Sequence, residues 1–286
     1  MAYEHEIEGL DIAWCPGCGN HGIRMALMKS LEELEIPAHE IVLVSGIGQA
    51  AKMPHYIKCS CFNGLHGRAL PPATAITVCN RDLTVIAEGG DGDMYGEGGN
   101  HFIHCIRRNP DICHLVHDNM IYGLTKGQAS PTSMIGFETP VQPEGVIVRP
   151  FDPVAVAIAL DASFVARSFA GDLDHLSKTI AQGIQHEGYA LVEILQPCVT
   201  FNKVNDFQWF RENTFKLSED YDPEDRKAAF KTAVDSEKLA LGVIYTNKGR
   251  KTFQEQQPVW TQSDEPLYSR RRNMDELKNL LDEYRL

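Results

Sequence analysis

The sequence predicts an α/β fold in which a mostly parallel sheet carries helices on both faces. Continuous apolar runs typical of buried parallel strands recur along the chain, as at residues 41–45 (IVLVS). Helical patterns alternate with these runs, which is the order that produces parallel sheets. Several of the runs end in glycine or polar residues, where open α/β sheets bind their ligands.

The composition limits the class of protein. A chain of 286 residues with 43% hydrophobic and 23% charged residues suits one large globular unit with extensions. The net charge of −12 argues against nucleic acid as a partner, because a phosphate backbone is held by a basic surface. No apolar run is long enough for a membrane span and no signal peptide is evident, so we expect a cytoplasmic protein with no membrane partner. Its eight cysteines are then expected to be thiols, not disulfides.

The elements follow in chain order from a loop rich in Pro and Gly at residues 14–19 (WCPGCG). A helix is predicted over residues 21–35, and the strand at 41–45 then runs into a Gly-Ile-Gly turn. The patterns beyond it predict helices over 69–78, 98–107, 153–160 and 173–186, and strands over 83–87, 112–116, 163–166 and 190–195.

We expect three parts in the chain. Residues 1–40 form a cysteine loop and helix, residues 41–201 an α/β domain, and residues 202–286 a polar C-terminal extension that wraps the core or a partner. Helical patterns in this extension lie near residues 224–234 and 274–284. Residues 127–150 contain four prolines and little periodicity, which predicts a long loop of the kind that is usually functional or disordered.

Polar residues at the ends of two consecutive strands form a candidate phosphate and metal site. Gly90-Asp91-Gly92 follow one strand, and Asn119 follows the next. Glycines let the backbone approach a diphosphate, and carboxylate and amide oxygens are hard ligands for Mg²⁺. A lone Gly-Asp-Gly is more often a turn, but this spacing across a strand-helix-strand unit resembles the diphosphate motif of thiamine-diphosphate enzymes.

Four sequence blocks resemble the β subunits of 2-oxoacid:ferredoxin oxidoreductases and stand in that family's order. They are residues 14–19 (WCPGCG), 65–71 (LHGRALP), 118–128 (DNMIYGLTKGQ) and 196–202 (QPCVTFN). The resemblance implies a thiamine-diphosphate-binding fold and a CoA-dependent, reversible oxidative decarboxylation that passes electrons through one [4Fe–4S] cluster to ferredoxin. We expect 2-oxoglutarate as substrate, giving succinyl-CoA and CO₂. Pyruvate or a broad range of 2-oxoacids is the alternative.

The resemblance also implies roles for individual residues. Asp91, Asn119 and the carbonyl of Ile121 would hold Mg²⁺. Lys126 and Lys52 would pair with the distal carboxylate of 2-oxoglutarate, and the alternative for each is a solvated surface lysine. The residues expected to contact thiamine diphosphate are Ile47, Gly48, His66, Gly90, Gly92, Asp93, Gly123 and Leu124, of which Leu124 is also expected at the reaction centre.

The cysteines are expected to hold the cluster. Cys15 and Cys18 form a CxxC pair that alone could bind zinc or a cluster or act as a redox dithiol. By the resemblance they are joined by Cys198, but the cysteine that many relatives carry after the Gly-Ile-Gly turn is replaced by Gln49. We expect Cys59 to supply the missing thiolate.

Two alternatives to Cys59 remain. Cys61 lies two residues further on, but it leads into Phe62 and a predicted core. Otherwise the cluster has three cysteines or is absent. The remaining cysteines, Cys79, Cys105 and Cys113, are predicted to be small core residues. The chain lacks the closely spaced cysteine run of ferredoxins and therefore holds at most one cluster.

The chain is predicted to form only half of an active site, because no second unit able to hold the aminopyrimidine ring of thiamine diphosphate is evident. A larger α subunit is therefore the expected partner, in an αβ heterodimer that can pair as α2β2, beside ferredoxin, the 2-oxoacid and coenzyme A. Two rival functions are a non-redox thiamine-diphosphate decarboxylase subunit, with incidental or zinc-binding cysteines, and a zinc-stabilised assembly protein.

Overall fold

A single sheet of eight strands forms the centre of the computed structural model, which describes residues 3–285. The strands are β1 (Ile41–Ser45), β2 (Ser60–Asn63), β3 (Thr84–Gly90), β4 (Ile112–Asp118), β5 (Phe164–Phe169), β6 (Tyr189–Leu195), β7 (Thr214–Lys216) and β8 (Leu239–Thr246). Their order across the sheet is β2-β1-β3-β4-β6-β5-β8-β7. Strands β1 to β6 pair in parallel, whereas β8 is antiparallel to β5 and carries β7 at the edge.

Helices cover both faces of this sheet, as predicted. The α-helices are α1 (Gly19–Glu33), α2 (Leu70–Cys79), α3 (Gly99–Arg108), α4 (Pro153–Ala159), α5 (Leu173–Gln185), α6 (Phe207–Glu212), α7 (Arg226–Asp235) and α8 (Met274–Glu283). Helices α1 and α5 pack on one face, while α2, α3, α4 and α7 pack on the other. Between residues 3 and 285, no helix is long and apolar enough to cross a membrane.

The central strands are buried on both faces, which explains their continuous apolar sequences. Val42 and Val44 of β1 point into the core under α2 and α3, where they share a cluster with Phe102. Ile41 and Leu43 alternate with them and pack into the other core beside Leu27 of α1. Side chains that alternate between two buried faces require an apolar residue at every position.

Most predicted elements are confirmed within a few residues, and β1 has the predicted bounds. Strand β3 is longer than expected, because residues 88–90, predicted as a loop, still pair with β1 at Glu88 and with β4 at Gly89 and Gly90. Pairing with β4 along one side is enough to hold Gly89 and Gly90 in the sheet. A short π-helical turn, Gly92–Glu97, follows directly.

The C-terminal extension contains more of the sheet than its polar composition predicted. Helices α7 and α8 lie close to the two predicted helical stretches, but β7, β8 and α6 were missed. The apolar run of β8 pairs with β5 along Phe164 to Arg167, so part of the extension is core. Strand β2 was also missed, because a short exposed edge strand needs no apolar alternation.

Candidate functional site

The carboxyl ends of β1, β3, β4 and β6 meet at one edge of the sheet and surround a pocket. All four sequence blocks that carried the resemblance contribute residues to its lining, although they lie far apart along the chain. The lining segments are residues 13–20, 47–50, 90–93, 119–125 and 196–201, with His66. Within these segments, the structure brings together all the expected cofactor-contacting residues.

Asp91, directly after β3, is a fully buried carboxylate in the pocket wall. It accepts hydrogen bonds from the backbone N–H groups of Gly92 and Asn119 and from the hydroxyls of Ser130 and Thr132, the last across 2.7 Å. Burial raises the pKa of Asp91 to about 6. Across residues 3–285 no basic side chain forms an ion pair with it, so a bound cation fits this position.

Thr132 connects Asp91 to a second buried carboxyl group. Its hydroxyl oxygen lies 2.7 Å from Asp91 Oδ2 and also 2.7 Å from Asp118 Oδ1. Burial, and then the charge of Asp91, raise the pKa of Asp118 to about 7. The Thr132 hydroxyl is placed to donate to either carboxyl group, and because a hydroxyl has one proton it donates to one of them at a time.

Asn119 and Ile121 lie on the turn that follows β4 and line the same pocket as Asp91. The N–H of Ile121 donates to the side-chain oxygen of Asn119 across 3.1 Å, and Asn202 donates to the Asn119 carbonyl across 3.2 Å. Between them, Met120 has a positive φ of 57°, a left-handed conformation that turns the chain sharply. The three expected Mg²⁺ ligands therefore stand together.

Asp93 fastens two turns of the pocket to each other. Its Oδ1 accepts from the N–H groups of Gly67, at 2.8 Å, and Ile47, at 3.2 Å, and lies 2.7 Å from Nδ1 of His66. Its Oδ2 is buried and has no hydrogen-bond partner among the described residues. A Cβ atom at Gly46 would lie 2.0 Å from this oxygen, so only glycine fits there.

The loop after β4 closes over the glycines of the site. A Cβ atom at Gly92 would lie 2.3 Å from the ring of Tyr122, whose hydroxyl donates to the Gly92 carbonyl across 3.3 Å. Gly123 and Leu124 follow at the rim, where Leu124 is exposed. Tyr122 was missed from the sequence, because an aromatic residue in a loop gives no sign of its partner.

The structure does not bring the two expected substrate lysines into the lining of the pocket. Lys126 is exposed and has a positive φ of 75°. It lies on a turn that is closed by a hydrogen bond from its own N–H to the Gly123 carbonyl. Lys52 is half-buried in the short helix that follows Gln49. Neither forms an ion pair in the part of the chain that the structure describes. Their role in substrate binding stays a prediction, and both flank residues that do line the pocket.

Cys15, Cys18 and Cys198, the three cysteines that the resemblance assigned to the cluster, line one wall of the pocket. The Thr200 hydroxyl donates to Cys15 Sγ across 3.2 Å, and the Gln196 amide donates to Cys18 Sγ across 3.5 Å. Burial raises the pKa of the Cys18 thiol, and the neighbouring Cys198 and Cys15 thiols contribute. The thiols form a loose group, because no three Cys, His, Asp or Glu side chains among residues 3–285 converge closely enough to hold a metal ion as they stand.

Cys59 and Cys61 lie away from these thiols. Strand β2 pairs Cys61 with Leu43, so Cys59 stands beside the amino end of β1, about 13 Å from the pocket edge at roughly 3.3 Å per residue. Burial raises the pKa of Cys59 to about 12. Cys61 is exposed on the edge strand, and Phe62, expected in the core, is 48% exposed.

The other three cysteines were predicted to be core residues. Cys105 and Cys113 are buried, which confirms that prediction for both. Cys79 is exposed at the end of α2, where the prediction was wrong.

Comparison with known proteins agrees with this geometry. Residues 41–194 match the family model described as the thiamine pyrophosphate enzyme, C-terminal TPP binding domain. Residues 198–262 match the family model for the C-terminal part of the pyruvate ferredoxin oxidoreductase beta chain. The segment after Asn202, which added little to the sequence resemblance, is therefore part of a recognised unit.

Three similar proteins carry the comparison further. The 2-oxoacid:ferredoxin oxidoreductase subunit beta of Saccharolobus solfataricus is 41% identical over 85% of this chain and 84% of its own length. The 2-oxoglutarate oxidoreductase subunit KorB of Mycobacterium tuberculosis is 43% identical over 67% of this chain and 52% of its own. A solved 2-oxoglutarate:ferredoxin oxidoreductase from Magnetococcus marinus, with 2-oxoglutarate, coenzyme A and succinyl-CoA bound, superposes with a TM-score of 0.91 at 31% identity, over 99% of this chain and 95% of that one.

Proposed function

This chain belongs to the β subunits of the 2-oxoacid:ferredoxin oxidoreductases, and on that premise we propose that its complex acts on 2-oxoglutarate. The products are succinyl-CoA and CO₂, and the electrons go to ferredoxin. The substrate is supported by the relatives in Mycobacterium tuberculosis and Magnetococcus marinus, which are named for 2-oxoglutarate. A second candidate, a broad range of 2-oxoacids, is favoured by the more general name of the Saccharolobus solfataricus relative.

The observation that carries the proposal is the buried, unpaired carboxylate of Asp91 at the carboxyl edge of the sheet. Asp91, Asn119 and the carbonyl of Ile121 would hold Mg²⁺, because a hard cation offsets the cost of burying the charge. Gly90 leaves room for the diphosphate at this edge, whereas Gly92 makes room for the ring of Tyr122. The Thr132 hydroxyl, 2.7 Å from both Asp91 and Asp118, helps to keep the Asp91 carboxylate oriented.

Thiamine diphosphate, when bound, supplies the carbanion chemistry that breaks the carbon–carbon bond of the 2-oxoacid. The chain positions it: His66, Ile47 and Gly48 line the same pocket, and Asp93 holds their two turns together. Lys126 and Lys52, which lie one and two residues beyond the lining residues Thr125 and Ala50, would reach the distal carboxylate of 2-oxoglutarate with their long side chains. Such a charge-assisted contact contributes about 1.5–3 kcal/mol.

Cys15, Cys18 and Cys198 would hold a cluster that accepts the electrons. The proposal is supported by the position of these thiols, which line the same pocket as Asp91. In the overall reaction a 2-oxoacid and CoA lose two electrons, one to each of two ferredoxins, as a C–C bond breaks and a thioester forms. The other half of the site comes from an α subunit, since a β subunit implies such a partner, and we place the complex in the cytoplasm.

Co-expression with the α subunit and anaerobic purification would test this function. We expect CoA-dependent reduction of a viologen dye with 2-oxoglutarate at least tenfold faster, as kcat/KM, than with pyruvate. Equal rates with several 2-oxoacids would favour the broad-range enzyme. A complex that binds thiamine diphosphate but contains no iron or sulfide would contradict the redox function and favour a decarboxylase.

A further inference from the structure

Gln49 occupies the place from which a fourth ligand would reach the cluster. It follows the Gly-Ile-Gly turn of β1 and lines the pocket beside Cys15, Cys18 and Cys198. Its side-chain oxygen is buried and accepts no hydrogen bond from any described residue. An unpaired buried amide oxygen costs about 1–3 kcal/mol, so such an atom in a ligand pocket indicates a partner that the protein chain itself does not supply.

The backbone of Gln49 is fixed in this place. The indole N–H of Trp14 donates to the Gln49 carbonyl across 2.8 Å, and Trp14 directly precedes Cys15. This hydrogen bond joins the turn that carries Gln49 to the loop that carries the CxxC pair. Gln49 and the three thiols line the same pocket.

No other thiol among residues 3–285 lines this pocket. Cys59 is at the amino end of β1 and Cys61 faces outward on the edge strand. Cys105 is buried in α3 against Thr74, Cys113 is buried in β4, and Cys79 ends α2. Three thiolates are thus available where a cubane cluster has four irons.

We propose that the side-chain oxygen of Gln49, in place of a fourth cysteine, faces the fourth iron of the cluster. The inference rests on the proposed function, because it assumes that the cluster is present. An amide oxygen is a hard, neutral ligand, whereas a thiolate is soft and negatively charged. The fourth iron is therefore held more weakly than the other three, and the cluster carries one negative charge fewer.

Two consequences distinguish this site from a four-thiolate site. The midpoint potential of the cluster is higher, because one negative charge less favours the reduced state. The fourth iron is also removable: a mild oxidant takes one electron from [4Fe–4S]²⁺, releasing Fe²⁺ and leaving [3Fe–4S]⁺. The three cysteines keep their bonds to the remaining irons.

Gln196 provides a matched control within the same wall. It too has a buried side-chain oxygen without a hydrogen-bond partner among residues 3–285, but its amide group donates to Cys18 Sγ. A Cβ atom at Gly19 would lie 2.5 Å from its Cγ, so its side chain is packed against the start of α1. We expect Gln196 to act on Cys18 and not on the fourth iron.

The test uses the anaerobic αβ complex, treated with ferricyanide in stoichiometric amount and followed by iron analysis and EPR spectroscopy. The unmodified complex should lose one iron in four and develop the EPR signal of an oxidised three-iron cluster. Gln49→Cys should keep all its iron under the same treatment and titrate at a lower midpoint potential. Gln49→Ala should lose the iron more readily than the unmodified complex. Gln196→Ala removes a hydrogen bond to Cys18 Sγ, so its midpoint potential should shift, but it should lose its iron as the unmodified complex does.

Each other outcome overturns the inference. If the unmodified complex keeps four irons, Gln49 faces no iron. The same follows if Gln49→Ala loses iron no more readily than the unmodified complex. Loss of the cluster in Cys59→Ser would assign the fourth ligand to Cys59. Thiamine diphosphate binding, measured in parallel, shows that each variant is folded. A complex that contains no iron before any treatment would overturn the proposed redox function as well. Failure of the redox function is thereby distinguished from failure of the inference about Gln49 alone.

Discussion

The indole N–H of Trp14 donates to the backbone carbonyl of Gln49 across 2.8 Å, joining the cysteine loop to the turn after β1. The indole is 6% exposed and meets the ring of Tyr56 edge to face, with 4.8 Å between centroids. This one hydrogen bond spans 35 residues of sequence. The position of the CxxC pair relative to the pocket therefore depends on Trp14.

Trp14→Phe should keep the aromatic packing but lose this hydrogen bond. We expect a loss of about 1 kcal/mol in the free energy of unfolding and faster loss of iron from the complex. Urea denaturation and timed iron analysis measure the two effects. Trp260→Phe is the matched control, because Trp260 also donates to a backbone carbonyl, that of Val78, but far from the pocket. It should lose stability without a faster release of iron, and equal release in both variants would contradict the role of Trp14.

Asp91→Ala should abolish activity, because it removes the only charged ligand proposed for Mg²⁺. Asp91→Asn should weaken thiamine diphosphate binding at least tenfold, since the amide keeps the size of the side chain but not its charge. Calorimetric titration with the cofactor and Mg²⁺ measures this, and iron content should stay unchanged. Asp111→Asn is the control, because burial also raises the pKa of Asp111 but this carboxyl group lies outside the pocket. Normal cofactor binding by Asp91→Ala would show that the loop after β3 is not the metal site.

Lys126→Ala should raise KM for 2-oxoglutarate far more than KM for pyruvate, because only the former has a distal carboxylate to pair. The expected difference is about tenfold to a hundredfold, the value of one charge-assisted contact. Steady-state kinetics on both substrates measure it, with Lys231→Ala, on the exposed face of α7, as control. Equal effects on the two substrates would leave Lys126 as a solvated surface residue, and the same pair of assays applies to Lys52→Ala.

Arg167 and Glu193 form a buried ion pair between β5 and β6, with 2.5 Å between Nε and Oε2. Arg167→Met should cost about 3–5 kcal/mol of unfolding free energy, because it leaves the charge of Glu193 uncompensated. The double variant Arg167→Met, Glu193→Met should recover much of that loss in urea denaturation. A double variant no more stable than the single one would show that the pair contributes packing and not charge.

The same pair makes stability depend on pH. Burial is the largest influence on Glu193 and raises its pKa to about 7 although Arg167 is adjacent. The Glu193 carboxyl group therefore binds its proton more tightly in the folded protein than in the unfolded chain. The stability that this protonation contributes falls as the pH rises from the unfolded pKa of about 4.5 to the folded pKa of about 7. Arg167→Met should therefore be more destabilising above pH 7 than below pH 5, as measured by urea denaturation at both.

The sequence by itself determined the fold class and the order of the site motifs. Strands buried on both faces, such as Ile41–Ser45 with four apolar residues in succession, can be recognised one at a time. Gly90-Asp91-Gly92 and Asn119 could be placed at the same sheet edge, because the carboxyl ends of parallel strands always meet there. Cys15 and Cys18 were found as a CxxC pair, and Cys198 was found by resemblance to the family.

Only the tertiary structure decided which residues meet where the local sequence gives no sign of the contact. The register of β2 on β1 moved Cys59 away from the pocket and Phe62 to the surface. The path of the long loop brought Thr132 between Asp91 and Asp118. Strand register and loop path depend on packing between distant segments, and this information does not reside in the residues near each position.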